Sequence, residues 1–370
     1  MSTKEPTFGT TGERLRSFAL SDDARERVSV LATRYWEIAA YGLLFISAAI
    51  LRFYNLGARA MHHDESLHGF YGYAFTKGLR NVFTVGTDNW SSNYHHVPFM
   101  HGPFQFIGSG FMMWIFGDGE YQARILAATM GTGMVLMPWL LRKQLGTVGA
   151  LAAAAFIAFS PTLLYYSRFT REDIYAAFWT LGIVIFLWRY LASRDEKWLF
   201  LSAGFLAGLF CTKETSAFTA VAFLGFLDYL VAVYLADQIR AKDKSMSDVA
   251  YAAITIGMLF AAPFIILLWP LIAAWREKYD LDEMPAAGIA FFVLGSLAAP
   301  QYAAFLQMGL GDSWQLRSGG ADLHVAREER TVAYTSIILL IGASAVIGVL
   351  LRPRTWLIAA AAFWVPFVLL

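Results

Sequence analysis

Residues 99–117 read FMHGPFQFIGSGFMMWIFG, and the fold turns on whether this stretch crosses a bilayer. It is long enough, since about 20 apolar residues suffice, but Gly102, Pro103, Gln105, Gly108, Ser109 and Gly110 weaken it. Further apolar stretches at 36–53, 122–141, 147–166, 174–192, 198–212, 214–235, 250–272, 286–306 and 332–351 are candidate spans, and a tenth, 355–370, is still apolar at Leu370. The bias of Lys and Arg toward the cytoplasmic side decides between the two placements of 99–117. If it lies in the interface, Arg142, Lys143, Arg189, Arg194, Lys197, Arg240, Lys242 and Lys244 share the N-terminal, cytoplasmic side. The opposite short loops then hold only Arg124, Arg168, Arg171 and Lys213. If it spans, the two sets swap. The interfacial or re-entrant placement is therefore expected, with 54–121 forming one long external loop. Beyond residue 250 the charges give no clean alternation.

Composition supports this frame. Of 370 residues, 57% are hydrophobic and 15% charged, against about 45–50% and 25% in soluble domains. The 29 Lys and Arg nearly balance the 28 Asp and Glu, so no global field argues for nucleic acid. A lone cysteine, Cys211, offers neither a disulfide framework nor a thiolate metal site. The expectation is an all-α polytopic membrane protein of the plasma membrane. It comprises a cytoplasmic N-terminal segment, 1–35, and a transmembrane domain, 36–370. Because the last apolar run is cut off without a polar flank, a C-terminal part is expected to be missing.

The chemistry-bearing residues gather on the external side. The first loop carries MHHDESLHGFYGYAF, residues 61–75, with adjacent acids Asp64 and Glu65, and six of the seven histidines: His62, His63, His68, His95, His96 and His101. A zinc-protease reading fails on spacing, because HExxH places two histidines four apart with Glu directly after the first. Here His63 and His68 are five apart. A divalent ion (Mg²⁺, Mn²⁺ or Zn²⁺) held by Asp64 or Glu65 with His101 is compatible with the donor types.

The second cluster, YYSRFTREDIY at 165–175, offers Arg168 and Arg171 together with Glu172 and Asp173. One of these acids is expected to cap the following helix and offset its dipole. The two arginines run against the orientation bias, which suggests bidentate phosphate binding. The third, LFCTKETSAF at 209–218, places Lys213-Glu214 at a short external turn. Arg124 belongs to the same layer. A substrate with an apolar tail and an anionic head fits this boundary, with its phosphate on Arg or Lys and its reacting group against the carboxylates.

These motifs, in this order, resemble the GT-C fold glycosyltransferases that use lipid-phosphate sugars, such as protein O-mannosyltransferases and aminoarabinose transferases of lipid A. The resemblance rests on Asp64-Glu65 after the first span and on HGPFQFIGSGFMMWIFGDGEYQARILAATMG, with His101, Pro103, Gly117 and Arg124. It continues through REDIYAAFW with Asp173, and CTKETSAF with Lys213. It covers 36–235 well and 250–350 poorly. Gly102 stands where the family has a second Pro, and Glu214 where it has Gly.

The resemblance implies a GT-C-type helical domain with interfacial helices in its first external loop. It implies inverting transfer of a sugar from a polyprenyl-phosphate donor to a protein, glycan or lipid acceptor. Asp64 is then the general base, Glu65 and Asp173 bind sugar or help place a metal, and Arg124, Arg168, Arg171 and Lys213 take the phosphate. A related bacterial and archaeal subgroup is linked to lipid-linked sugar flipping in glycoprotein assembly, so a non-catalytic carrier is the alternative.

Overall fold

The computed structural model describes residues 22–85, 102–269, 277, 283–303 and 327–369. His95, His96 and His101 lie outside them. Among the described residues the chain is helical, without strands. The helices are α1 Asp22–Phe53, α2 His63–Val85, α3 Phe104–Phe116, α4 Glu120–Gly133, α5 Arg142–Phe159, α6 Pro161–Ser167, α7 Asp173–Ser193, α8 Glu196–Phe210, α9 Ser216–Lys242, α10 Asp248–Leu267, α11 Ala286–Ala298, α12 Arg327–Leu351 and α13 Pro353–Leu369. Five described stretches are long and apolar enough to cross a membrane: Tyr35–Phe53, Glu120–Phe159, Asp173–Ser193, Ser216–Lys242 and Asp248–Leu267.

The stretch Glu120–Phe159 is 40 residues long, but it is not one rod. Past the 3-10 segment Met134–Leu141, Gly146 adopts φ 71°, a left-handed conformation that glycine enters without steric cost. The helix breaks there, between the expected stretches 122–141 and 147–166. The second ends early, at Phe159. Ser160 caps the next helix by accepting from the Leu163 amide, with Pro161 at its first position.

α3 has 13 residues and so spans about 20 Å, too short for a hydrocarbon core of roughly 30 Å. At its start, the Gly102 amide donates to the Thr212 carbonyl (3.1 Å) and that of Phe104 to the Cys211 carbonyl (3.0 Å). Gly102 is required at its start, because an added Cβ would fall 1.9 Å from the Cys211 carbonyl oxygen. Thr76 of α2 donates to the Gly110 carbonyl (2.8 Å), and Arg80 grips Asp118 through two 3.0 Å bonds, so α2 and α3 form one unit.

The remaining helices pack through an apolar interior. Ile183, Leu206, Leu227, Leu294, Leu297 and Phe363 belong to the largest cluster. A second joins α4 to α7 through Met130, Ile174 and Tyr175. α13 starts beside α8, where Thr355 donates to Glu196 (2.7 Å), and later meets it again through Phe363 and Phe210. The two helices thus run in the same direction.

Candidate active site

Adjacent positions on a helix point about 100° apart, and the first turn of α2 uses this to separate Asp64 from Glu65. Glu65 points inward and is fully buried. Its carboxylate accepts from Arg124 Nε (2.8 Å) and Nη2 (2.9 Å), the Thr170 amide (3.0 Å), the His62 amide (3.1 Å) and Arg59 (3.4 Å). The His62 bond is the returning half of a capping box. Burial would raise the Glu65 pKa, but the Arg124 side chain and the two amides outweigh it and hold the carboxyl below its usual range. Arg124 is equally spent, being 1% exposed. Glu65, expected in a catalytic role, and Arg124, expected to bind phosphate, are thus both buried and paired with one another.

Arg168 is likewise engaged within the protein. Its guanidinium donates to the carbonyls of Leu51 (2.7 Å), Arg52 (3.1 Å), Tyr54 (2.8 Å) and Asn55 (3.3 Å). The carbonyls of Leu51 and Arg52 are among those that the end of α1 leaves without helical partners, those of Tyr54 and Asn55 follow it, and a cation there complements the helix dipole. Arg52, fully buried, does the same for α5 through Ile157 (3.0 Å) and Ala158 (3.1 Å). Both arginines thus spend their guanidinium groups at helix ends.

Four of the expected residues do converge. Arg171 Nη1 lies 3.3 Å from Asp64 Oδ2, and its Nε lies 3.7 Å from Asp173 Oδ2. Lys213 Nζ donates to Asp173 Oδ1 at 2.9 Å. Negative and positive groups alternate along this row. Asp64 is 41% exposed, Arg171 34%, Asp173 31% and Lys213 19%, so a ligand from outside can reach each of them. Three separate chain segments supply the row: the start of α2, the start of α7 and the α8–α9 turn.

Neither acid at the α7 start caps the helix. Glu172 is the cap residue but its side chain bonds no helix amide; it is fully buried and meets His68 Nε2 at 3.0 Å. Asp173 sits in the first turn, where its charge favours the dipole, with its oxygens on Lys213 and Arg171. Sequence reasoning missed Arg59, Thr170, His68 and Arg52 as parts of this layer. Only His68 carried a signal, lying four residues after Asp64 and so on the same helical face.

Among the described residues no three His, Cys, Asp or Glu side chains converge on a metal position. Arg171 occupies the space between Asp64 and Asp173 where an ion shared by them would sit. The described donors therefore do not make a metal site by themselves.

Residues 100–269 match the family model of dolichyl-phosphate-mannose-protein mannosyltransferases. The resemblance read from the sequence is borne out across that segment, which holds Arg124, Arg168, Arg171, Asp173 and Lys213. Among solved structures, the Archaeoglobus fulgidus oligosaccharyltransferase tethered with an acceptor peptide containing the NVT sequon via a disulfide bond aligns at 14% identity. That alignment covers 92% of this chain and 50% of that one, with a TM-score of 0.44. The chain thus spans about half the length of the structure it matches. No curated protein matches.

Proposed function

With residues 100–269 matching that mannosyltransferase family, we propose that the chain is a membrane glycosyltransferase. It moves a sugar from a polyprenyl-phosphate donor to an acceptor at the external face, with inversion. The observation that carries this reading is the partly exposed row Asp64, Arg171, Asp173 and Lys213. Asp64 serves as general base on the acceptor hydroxyl or amine, and the freed electron pair attacks the anomeric carbon. The C–O bond to phosphate breaks, and the departing phosphate is already ionised, so positive charge stabilises it better than a proton would. Arg171 and Lys213 supply that charge, and Asp173 aligns both. In the resting arrangement Arg171 pairs with Asp64. When the donor phosphate takes the guanidinium, the Asp64 carboxylate is released for the acceptor.

Donor titrations with purified protein in liposomes test the phosphate assignment. Arg171→Met and Lys213→Met should each weaken donor binding roughly 10- to 100-fold, the worth of one charged hydrogen bond. Arg168→Met should instead lower stability while leaving donor KM in place. An unchanged donor KM in both Arg171→Met and Lys213→Met contradicts the assignment.

One observation favours the second reading, a carrier for lipid-linked sugars. The sequence suggests that Asp228 lies near the cytoplasmic end of its span. Asp228 sits midway along the 27-residue α9. Its Oδ1 is buried without a hydrogen-bond partner among the described residues, and a carboxylate on an apolar helix is costly unless used. If the carrier reading holds, Asp228→Asn slows flipping of a lipid-linked sugar in proteoliposomes. Flipping at the wild-type rate removes its support.

A further inference from the structure

Beneath the exposed row lies a second polar pair that the proposed chemistry leaves unused. His68 Nε2 and Glu172 Oε1 stand 3.0 Å apart, with side-chain exposures of 7% and 0%. The imidazole stacks on Phe106 of α3, ring centroids 5.5 Å apart and 29° inclined. Burying such a pair is expensive compared with apolar residues of similar volume, so packing alone does not account for it. Its position does. Glu172 lies between Arg171 and Asp173, while His68 lies one helical turn after Asp64 on the same face of α2. The contact between His68 and Glu172 therefore joins the two segments that carry the exposed row, beside the point where Asp64 meets Arg171.

We propose that His68 and Glu172 are positioning residues whose buried polar contact fixes Asp64 of α2 against Arg171 and Asp173 at the start of α7. The pair touches no reacting atom. A buried polar contact at 3.0 Å sets a distance that apolar contact leaves loose, and a displacement of about 1 Å at a reacting centre costs on the order of 100-fold in rate. The inference rests on the transferase reading for its kinetic consequence but not for its structural one.

Three variants in liposomes test it. Removing His68 alone would strand a buried carboxylate and could prevent folding, so the informative change is the double variant His68→Leu/Glu172→Leu, which removes both polar partners. It should insert and remain folded, keep the donor KM, and lose about 10- to 100-fold in kcat. His68→Gln, which retains a donor toward Glu172, should recover most of the wild-type kcat. A double variant with wild-type kcat overturns the proposal, and so does His68→Gln no better than His68→Leu/Glu172→Leu. Hydrogen exchange supplies a readout independent of turnover: amides of 63–68 and 170–176 should exchange faster in the double variant and near the wild-type rate in His68→Gln. Unchanged exchange in the double variant overturns the positioning role. Should the wild-type protein transfer no sugar, the transferase reading fails while the exchange comparison still decides this one.

Discussion

Glu65 accepts from five donors inside the protein while its neighbour Asp64 faces Arg171 at the surface. Replacing Arg124 with Leu would leave the buried Glu65 charge with only Arg59 and two backbone amides, at a cost of about 3–5 kcal/mol, measurable as a drop in thermal stability in detergent. The same carboxylate makes stability depend on pH. Its folded pKa is depressed, so its contribution is complete above the ordinary glutamate value of about 4.3. It is lost as pH falls through the lower folded value. Glu65→Gln should thus be less stable than wild type at neutral pH, with the gap narrowing below about pH 4. A gap that widens on acidification contradicts the linkage. At this scale the sequence disclosed which residue types cluster, but not which are spent internally. Asp64 and Glu65 are told apart only by helix phase, which has no reference until the start of α2 is known.

At the scale of elements, the interfacial placement expected of α3 follows from counting charges on loops far from it. The partners of Arg168 and Arg52 were not legible, because both serve carbonyls at helix ends distant in sequence, and no local pattern shows where another helix stops. Gly102, a departure from the family pattern, becomes intelligible only beside Cys211. Gly102→Ala would push a methyl group against backbone, 1.9 Å from a carbonyl oxygen, and should destabilise by about 1–3 kcal/mol as overpacking does. It should also disturb the Lys213 turn, which the Gly102 amide holds through Thr212. Wild-type stability and activity in Gly102→Ala would show that this junction yields at no cost.

Across the whole molecule, charges divide between two ends. One end holds the row from Asp64 to Lys213. At the other, Arg142 meets Glu37 at 3.3 Å, Arg194 meets Glu283 at 3.3 Å and Arg240 meets Asp248 at 2.8 Å. The hydrophobic pattern and loop charges were enough to foresee this division, whereas the path after residue 250 was not, because its charges do not alternate. Packing of α13 along α8 supplies what the charges did not. In a Cys211→Ala background, a membrane-impermeant thiol reagent applied to intact cells should label Glu214→Cys and spare Lys244→Cys. The reverse pattern would put the site on the cytoplasmic face.

The central claim is that Asp64, set within this row, is the base for sugar transfer. The most direct test is the initial rate of sugar transfer from a polyprenyl-phosphate donor in proteoliposomes, comparing wild type with Asp64→Asn at equal membrane insertion. The predicted result is a loss of about 100- to 10,000-fold, the usual worth of general-base catalysis, with donor KM little changed. Transfer by Asp64→Asn at the wild-type rate would contradict it.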